Sequence, residues 1–301
     1  MILSIGEILA DVIVGEDNSS LQMEAHLGGA PLNVAVNAAR AGADVAFTGR
    51  VGRDVIGKFL IRQAKKTGLA KLDIQTDHKR NTTLAFVTIT DGERDFSFFR
   101  TDTAAYHIDG DKINLGDYEN LNIVHLGSLM LSEKIGREFA RNTLEKIRGA
   151  NKLFSFDVNF RSDLYESAND AIKAYSPFVE QADILKFSDD EIALFTGTND
   201  VNEAARLLYK PDRLLIVTKG SRGSAYYYNN LCGVIPTNPV KPVDTTGAGD
   251  TFNGAFAVAR ANGKSMQESI SFANAAAALS VQKLGAQGGM PYLHEVEEML
   301  K

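Results

Sequence analysis

The chain has a single cysteine, Cys232, no tryptophan and only seven prolines among its 301 residues. One thiol excludes an intrachain disulfide framework. A nucleophilic role for Cys232 would need a histidine base, and none of the five histidines sits in a recognisable partner motif, so Cys232 reads as packing near a strand. Long apolar runs are missing as well, none approaching the roughly 20 residues that span a bilayer. The opening Met1-Ile2-Leu3-Ser4-Ile5-Gly6-Glu7-Ile8 lacks a basic region followed by an apolar stretch. The expectation is a soluble, cytoplasmic protein without a membrane partner. An excess of positive charge is also absent: the formal net charge is -6 and the sequence pI about 5.5. Sequence-independent nucleic-acid binding needs a basic footprint and is disfavoured. A small anionic ligand is not, because a few local cations can hold one.

What is present is ordinary globular composition, 44% hydrophobic and 23% charged, at a length that suits one large domain or two small ones. Strand-length apolar runs alternate with segments of helical period, the pattern of βα units around a mostly parallel sheet. Predicted strands are Ile2 to Ile5, Val45 to Thr48, Ile123 to Leu126, Leu153 to Asp157, Ile184 to Phe187 and Leu214 to Thr218. Predicted helices are Leu32 to Ala41, Gly57 to Thr67, Lys134 to Arg148, Asp189 to Phe195, Val201 to Leu208, Ala248 to Ala261 and Met266 to Leu284. Two segments, Asp11 to Leu27 and Thr83 to Thr101, break the rhythm with β-branched and aromatic residues and no crossover helix. Phe86, Thr88, Phe96, Phe98 and Phe99 fit a small antiparallel sheet projecting from the main one. It is either an edge hairpin or, as preferred here, a lid over a polar cleft that shields a transfer reaction from water. There is no internal repeat or linker, and Ile235 to Val243 is a short loop ahead of a motif.

That motif is Asp244-Thr245-Thr246-Gly247-Ala248-Gly249-Asp250-Thr251-Phe252-Asn253-Gly254-Ala255-Phe256-Ala257. Gly247, Ala248 and Gly249 precede an apolar helical run. Backbone amides at such a junction point outward, and the helix dipole adds positive character. The arrangement suits oxygens that gain negative charge, as phosphoryl oxygens do in transfer. Asp250 falls in the first turn. There it either accepts the proton of an attacking hydroxyl or caps the helix; the small residues ahead of it favour the base. Neither a P-loop nor a Gly-x-Gly-x-x-Gly turn is present, and the first strand ends instead in Gly6-Glu7. A second cluster, Gly28-Gly29-Ala30-Pro31-Leu32-Asn33, would admit a ligand close to the backbone, although alone it also reads as a plain strand-to-helix turn.

Together the two clusters resemble the paired signatures of the ribokinase-like (PfkB) carbohydrate kinase superfamily, the first continuing through Gly42, Gly49, Gly52 and Gly57, the second being 244–257. The resemblance runs from Ile2 to Pro291. It implies a Rossmann-like three-layer α/β/α sandwich with a mostly parallel sheet, one domain over residues 1–301, and a small β-sheet lid at about 11–27 and 83–101. It implies transfer of the ATP γ-phosphate to a sugar, with Gly247, Ala248 and Gly249 as anion hole and Asp250 as catalytic base. Asp11, Gly28, Gly29 and Asn33 match sugar-holding positions. Thr218, Lys219, Gly220 and Gly223 match the loop that cradles the nucleotide phosphates, and Asn274 a position lining the adenine and ribose pocket. Lys186 with Ser188-Asp189-Asp190-Glu191 resembles an Asn-x-x-Glu element tied to Mg²⁺ and phosphate; serine replaces the asparagine, which leaves Glu191 as the carrier. On residues alone this acidic run also reads as a solvated helix start. Asp244 and Thr246, with backbone near Ser280, Lys283 and Gly285, resemble a K⁺ site of some members; oxygen ligands suit a hard cation. Lid sheets in this superfamily often pair as homodimers.

Within the superfamily, Thr82 to Arg100, Val124 to Ser128 and Asp157 to Arg161 resemble the fructokinase branch. Arg100 and Arg161 have the chemistry to donate paired hydrogen bonds to sugar oxygens or phosphate, or to form surface salt bridges. The implied reaction is fructose and ATP to fructose 6-phosphate and ADP, with the sugar held by Asp11, Gly29, Asn33 and Asn159. The neighbouring 2-keto-3-deoxygluconate kinase branch, whose arginines meet a carboxylate, is the alternative. A non-catalytic nucleotide or sugar sensor is a further one, disfavoured because a sensor has no need of Asp250 beside those amides.

Overall fold

The computed structural model describes the backbone of residues 1–17, 20–90 and 93–301, with side chains there except at 16, 17, 88–90 and 93–96. In chain order its strands are β1 (Ile2–Ile5), β2 (Leu9–Asp17), β3 (Ser20–Gly28), β4 (Val45–Gly52), β5 (Lys71–Asp77), β6 (Leu84–Thr90), β7 (Glu93–Phe99), β8 (Ile123–Leu126), β9 (Leu153–Asp157), β10 (Ile184–Ser188), β11 (Leu214–Thr218), β12 (Ser224–Tyr228) and β13 (Leu231–Ile235). The helices are α1 (Ala30–Arg40), α2 (Val55–Ala64), α3 (Lys134–Gly149), α4 (Ala168–Gln181), α5 (Asp189–Thr196), α6 (Val201–Leu208), α7 (Ala248–Ala261), α8 (Met266–Ser280), α9 (Ala286–Gly289) and α10 (Leu293–Met299).

Among the described residues, nine strands form one sheet in the order β13-β12-β11-β10-β9-β8-β1-β4-β5. Pairing is parallel from β11 to β5 and antiparallel from β11 to β13. The central strands are buried on both faces and read as continuous apolar runs. One face carries α3 to α6, packed through Leu144, Ile147, Phe178, Ile192 and Ala205 onto Phe154, Phe156 and Leu185. The other carries α1, α2, α7, α8 and α10, packed through Leu32, Leu60, Phe252, Phe256, Ile270 and Val296. Each such large side chain contributes about 1.5–3 kcal/mol on burial. From β1 the chain builds outward to β4 and β5, then returns to build the other way from β8. The tips of β1 and β8 therefore flank a topological switch point, where α/β sheets form their ligand crevice.

The six predicted strands fall on β1, β4, β8, β9, β10 and β11, and the seven predicted helices on α1, α2, α3, α5, α6, α7 and α8, with shifts of a few residues at their ends. The hairpin β12–β13 turns on Asn229 and Asn230, both at positive φ (49° and 62°), the left-handed pair that a tight hairpin demands. Helix α4 carries Pro177 inside it, a residue that disguises a helix in sequence; full burial of Tyr175 and Phe178 offsets the lost hydrogen bond.

The two irregular segments form a separate sheet in the order β3-β2-β6-β7. It is mixed, not antiparallel as expected: the two hairpins are antiparallel, but β2 pairs β6 in parallel. The chain passes through β3, α1, β4, α2 and β5 between those two strands, so no tight turn forces them antiparallel. Its inner face sets Leu9 and Ala85 against Leu129 and Leu164 of the main body. The rings of Phe86 and Phe99 meet at a tilt of 60° with centroids 4.9 Å apart, and Leu21, Met23 and Phe99 stay exposed. The expectations for Thr88 and Phe96 lie outside the described side chains.

Helices α1 and α7 approach through Gly254, where a Cβ would lie 2.6 Å from the Val34 carbonyl oxygen and 2.9 Å from the Ala38 nitrogen. Gly254→Ala is predicted to destabilise the fold by about 1–3 kcal/mol through overpacking. Urea unfolding is the check, and a midpoint equal to the parent's would show that the two helices tolerate the extra carbon.

Candidate active site

Helix α7 begins after Gly247, which holds φ 77°, ψ 4°. That left-handed conformation suits glycine, and a Cβ there would press on Ala286 at 2.9 Å. The first amides of α7 have no partners within the helix; the Ala248 N–H donates to the Thr245 carbonyl oxygen at 3.2 Å, and Ala248 and Gly249 line the crevice. Asp250, in the first turn, is buried. Burial pushes its carboxyl up to about 6; Asn33 opposes this by hydrogen bonding, the Asp157 charge adds to it, and the charges of Lys186 and Arg161 oppose it. The Asn33 amide donates to Asp250 Oδ2 at 2.9 Å and accepts from Gln287 Nε2 at 3.1 Å. Those two bonds fix which way the amide faces.

Asn33 is placed by the turn into α1. Gly29 sits at φ 116°, and a side chain on it would collide with the Glu7 carbonyl oxygen. A side chain on Gly28 would collide with the Asp11 carboxylate across the β2–β3 pairing. Gly28 thus clears room for Asp11, and Asp11 lies on the lid beside the turn that carries Asn33. Ser4 Oγ donates to the Pro31 carbonyl oxygen at 2.7 Å, tying the start of α1 to β1. Glu7, just past β1, is 3% exposed, and its Oε2 has no hydrogen-bond partner among the described residues. Burial raises its carboxyl to about 7, and the charge of Asp250 contributes to that rise. Sequence reasoning noted Gly6-Glu7 only as the end of a strand.

At the tips of β9 and β10, Lys186 Nζ donates to both oxygens of Asp157 at 2.8 Å each. Asn253 on α7 donates to Asp157 Oδ2 at 2.7 Å. Lys186, expected on the nucleotide, is thus held by Asp157 beneath Gly249, whose missing Cβ would lie 3.3 Å from Nζ. Glu191 spends both carboxylate oxygens on backbone N–H groups, of Phe160 and Ser188, each at 2.7 Å. It completes the capping box of α5, and burial, with the Asp157 charge, holds its carboxyl above the ordinary range. Ser188 is the N-cap of that box. Asn159 takes φ 39°, and Arg161 is exposed, with Nη1 donating to the Phe160 carbonyl oxygen at 2.9 Å. Arg100 is tied to Tyr106 Oη at 2.6 Å and Ser132 Oγ at 3.1 Å.

Beside α7 opens a cavity of about 530 Å³. Val240, Pro242, Phe252, Ala277, Ala278 and Val281 give it an apolar slot; Thr218, Gly220, Gly223, Ala248 and Gly249 line it where backbone amides can meet anions. The backbone N–H of Lys219 closes the 219–223 loop by donating to the Gly223 carbonyl oxygen at 2.8 Å. Asn274 lies in the cavity wall, but its side chain braces that wall. It accepts from Ser224 Oγ at 2.7 Å and donates to the Ile235 carbonyl oxygen at 3.0 Å. Asp244 joins two loops, accepting from the Thr246 nitrogen at 2.9 Å and the Gly285 nitrogen at 2.6 Å. Ser280 Oγ donates to the Ala277 carbonyl oxygen at 2.8 Å, and Lys283 Nζ reaches Glu295 at 4.0 Å.

The structure thus brings Asp250, Asn33, Gly28, Gly29 and Asp11 together, with Gly247 to Gly249 between them and the apolar slot. Glu7, Asp157, Asn253 and Gln287 complete the cluster and were not picked out from sequence as site residues. Asp157 and Asn253 stood inside motifs read for other reasons; Gln287 carried no signal.

A sequence pattern described as pfkB family carbohydrate kinase matches residues 1–293. A probable fructokinase-2 of Arabidopsis thaliana is 35% identical over 100% of this chain and 96% of its own length. A crystal structure of a fructokinase with bound ATP from Xylella fastidiosa superposes with a TM-score of 0.88 at 29% identity, covering 99% of this chain and 97% of that one. A fructokinase from Vibrio cholerae O395 in a fructose, ADP and calcium-bound form gives a TM-score of 0.83 at 25% identity, over 100% of this chain and 98% of that one. With the family pattern spanning nearly the whole chain and its two signature turns facing each other across one crevice, the chain belongs to the pfkB family of carbohydrate kinases.

Proposed function

We propose that the protein is an ATP-dependent fructokinase that transfers the γ-phosphoryl group of ATP to O6 of fructose. The observation that carries this reading is Asp250: a buried carboxylate, raised to about 6, set in the first turn of α7 next to Ala248 and Gly249, which line a nucleotide-sized cavity. The full-length likeness to fructokinases, including structures with ATP and with fructose and ADP, supports the substrates.

In this mechanism the apolar slot takes the adenine and the glycine-lined end takes the phosphates. Asp11, Gly28, Gly29, Asn33 and Asn159 hold the sugar, with Arg100 and Arg161 at its rim. The lid, seated through Leu9 and Ala85, limits water. Asp250 takes the proton of the attacking hydroxyl while the α7 amides receive the charge gathering on the transferring group. Among the described residues there is no cluster of three or more metal-ligating side chains. This fits Mg²⁺ carried on the nucleotide phosphates, whose charge it neutralises there, with Glu191 acting only at a distance. The Asp244 loop, tied to Gly285 and rich in backbone oxygens, fits a K⁺ ion. A second copy of the chain is proposed to cover Leu21, Met23 and Phe99 on the lid.

A coupled ADP-release assay with Mg²⁺, ATP and fructose, ribose, 2-keto-3-deoxygluconate, tagatose or adenosine tests the substrate, and the highest kcat/KM is expected for fructose. Preference for the keto-acid would keep the chemistry and replace the sugar; silence on every acceptor with ATP still bound would replace catalysis by sensing. Asp250→Asn is expected to cut kcat by about 10²–10⁴-fold, the usual reach of general base catalysis, with fructose affinity nearly unchanged. A base must be ionised to act, so kcat/KM of the parent rises with pH through about 6 and levels above it. Near-normal turnover in Asp250→Asn would remove Asp250 from the base role.

A further inference from the structure

The ion pair of Asp157 and Lys186 lies at the back of the site. The two side chains are 8% and 6% exposed. They belong to adjacent parallel strands, with Lys186 opposite Asp157 in the β9–β10 register. A buried pair of this kind costs desolvation and is weak evidence of stability on its own. Here it has a third member from another layer, Asn253, which reaches from the first turns of α7 to Asp157 Oδ2 at 2.7 Å. Asp157 is therefore bonded both to β10 through Lys186 and to α7 through Asn253.

We propose that Asp157 is a positioning residue for phosphoryl transfer: it holds the Lys186 ammonium under Gly249 and fixes the first turns of α7, and with them Asp250 and the anion hole, against the sheet. The inference rests on the kinase reading above and deepens it. Lys186 Nζ lies 2.8 Å from both oxygens of Asp157, so the ammonium shares its protons with that carboxylate on one side. That leaves the ammonium close beneath Gly249, where it adds a full charge to the partial charges of the amides. Burial alone would pull Lys186 down, but the Asp157 carboxylate, helped by Glu191, holds it above its ordinary value, so the ammonium stays charged. His125, packed alongside on β8, is pushed down to about 4 by burial and stays neutral at working pH.

The arrangement also governs the base. Asp250 is faced by Asn33 from α1, Glu7 from the tip of β1, Asp157 from β9, Arg161 from the segment after β9 and Lys186 from β10. Of these, Asp157 pushes its carboxyl up and Lys186 pulls it down. Taking the charge from Asp157 removes a like charge, while Glu191 and Asp250 still favour the charged Lys186 ammonium; that cation then faces Asp250 with less compensation, and both changes favour ionised Asp250. A purely structural loss would lower turnover without moving its pH dependence.

The test measures kcat, KM and the pH profile of kcat/KM for fructose in the parent, Asp157→Asn and Asn253→Ala, with melting curves. In Asp157→Asn, kcat falls and the acid limb moves to lower pH by at least about 0.5 unit. In Asn253→Ala the charges remain: the limb stays, while kcat falls roughly tenfold, as a loosened catalytic geometry does, and the fructose KM changes less than about twofold. An Asp157→Asn limb that coincides with the parent's overturns the proposal. If that variant does not fold, Asn253→Ala decides it, and parent-like kcat overturns it. A parent inactive on every sugar would instead count against the kinase reading, which separates the two failures.

Discussion

The site depends on one hydrogen bond, from the Asn33 amide to Asp250 Oδ2 across 217 residues of sequence. It joins the first turns of α1 and α7, the helices that carry the two glycine-bearing turns of the chain. Neither turn is a site alone. Gly28 and Gly29 make room for Asp11 and the Glu7 backbone; Gly247 turns the α7 amides outward. The bond brings the groups proposed to hold the sugar and those proposed to receive the phosphate into register, and Gly254 lets the helices come close enough to form it.

A second constraint is charge. Glu7, Asp157 and Asp250 lie buried within one region with Glu191 half-buried beside them, and among the described residues the buried cation that offsets them is Lys186. Carboxylates so placed resist ionisation through burial and mutual repulsion. The consequences differ by residue. Asp157 is held by Lys186 and Asn253, and Glu191 by two backbone amides. The Glu191 carboxyl nonetheless stays above its ordinary range, and Glu7 and Asp250 are raised to about 7 and about 6. A carboxylate poised near 6 is a better proton acceptor than an ordinary aspartate and still ionised near neutral pH.

Much of the architecture was legible in the sequence because the central strands are uniform apolar runs and the helices between them are amphipathic. Helix α7 was placed to the residue, since small side chains follow a glycine-rich turn. Other parts were hidden for physical reasons. Pro177 masks α4, where buried aromatics outweigh local propensity. The lid's mixed pairing depends on a return through five intervening elements, which strand patterning does not encode. In the site, Asp250 and Asn33 were visible because their neighbours are unusual. Gln287 was not, because an isolated glutamine carries no pattern. Lys186 was visible but its partner was not: the β9–β10 register alone sets it against Asp157.

The most direct measurement is the pH dependence of kcat/KM for fructose in Asn33→Ala. The Asn33 hydrogen bond favours ionised Asp250, so its loss should raise the carboxyl further. The account predicts that the acid limb moves to higher pH, with turnover reduced more at pH 6 than at pH 8. A limb that stays with the parent's, at comparable turnover, would mean that the bond between α1 and α7 does not set the base, and the central claim would fail.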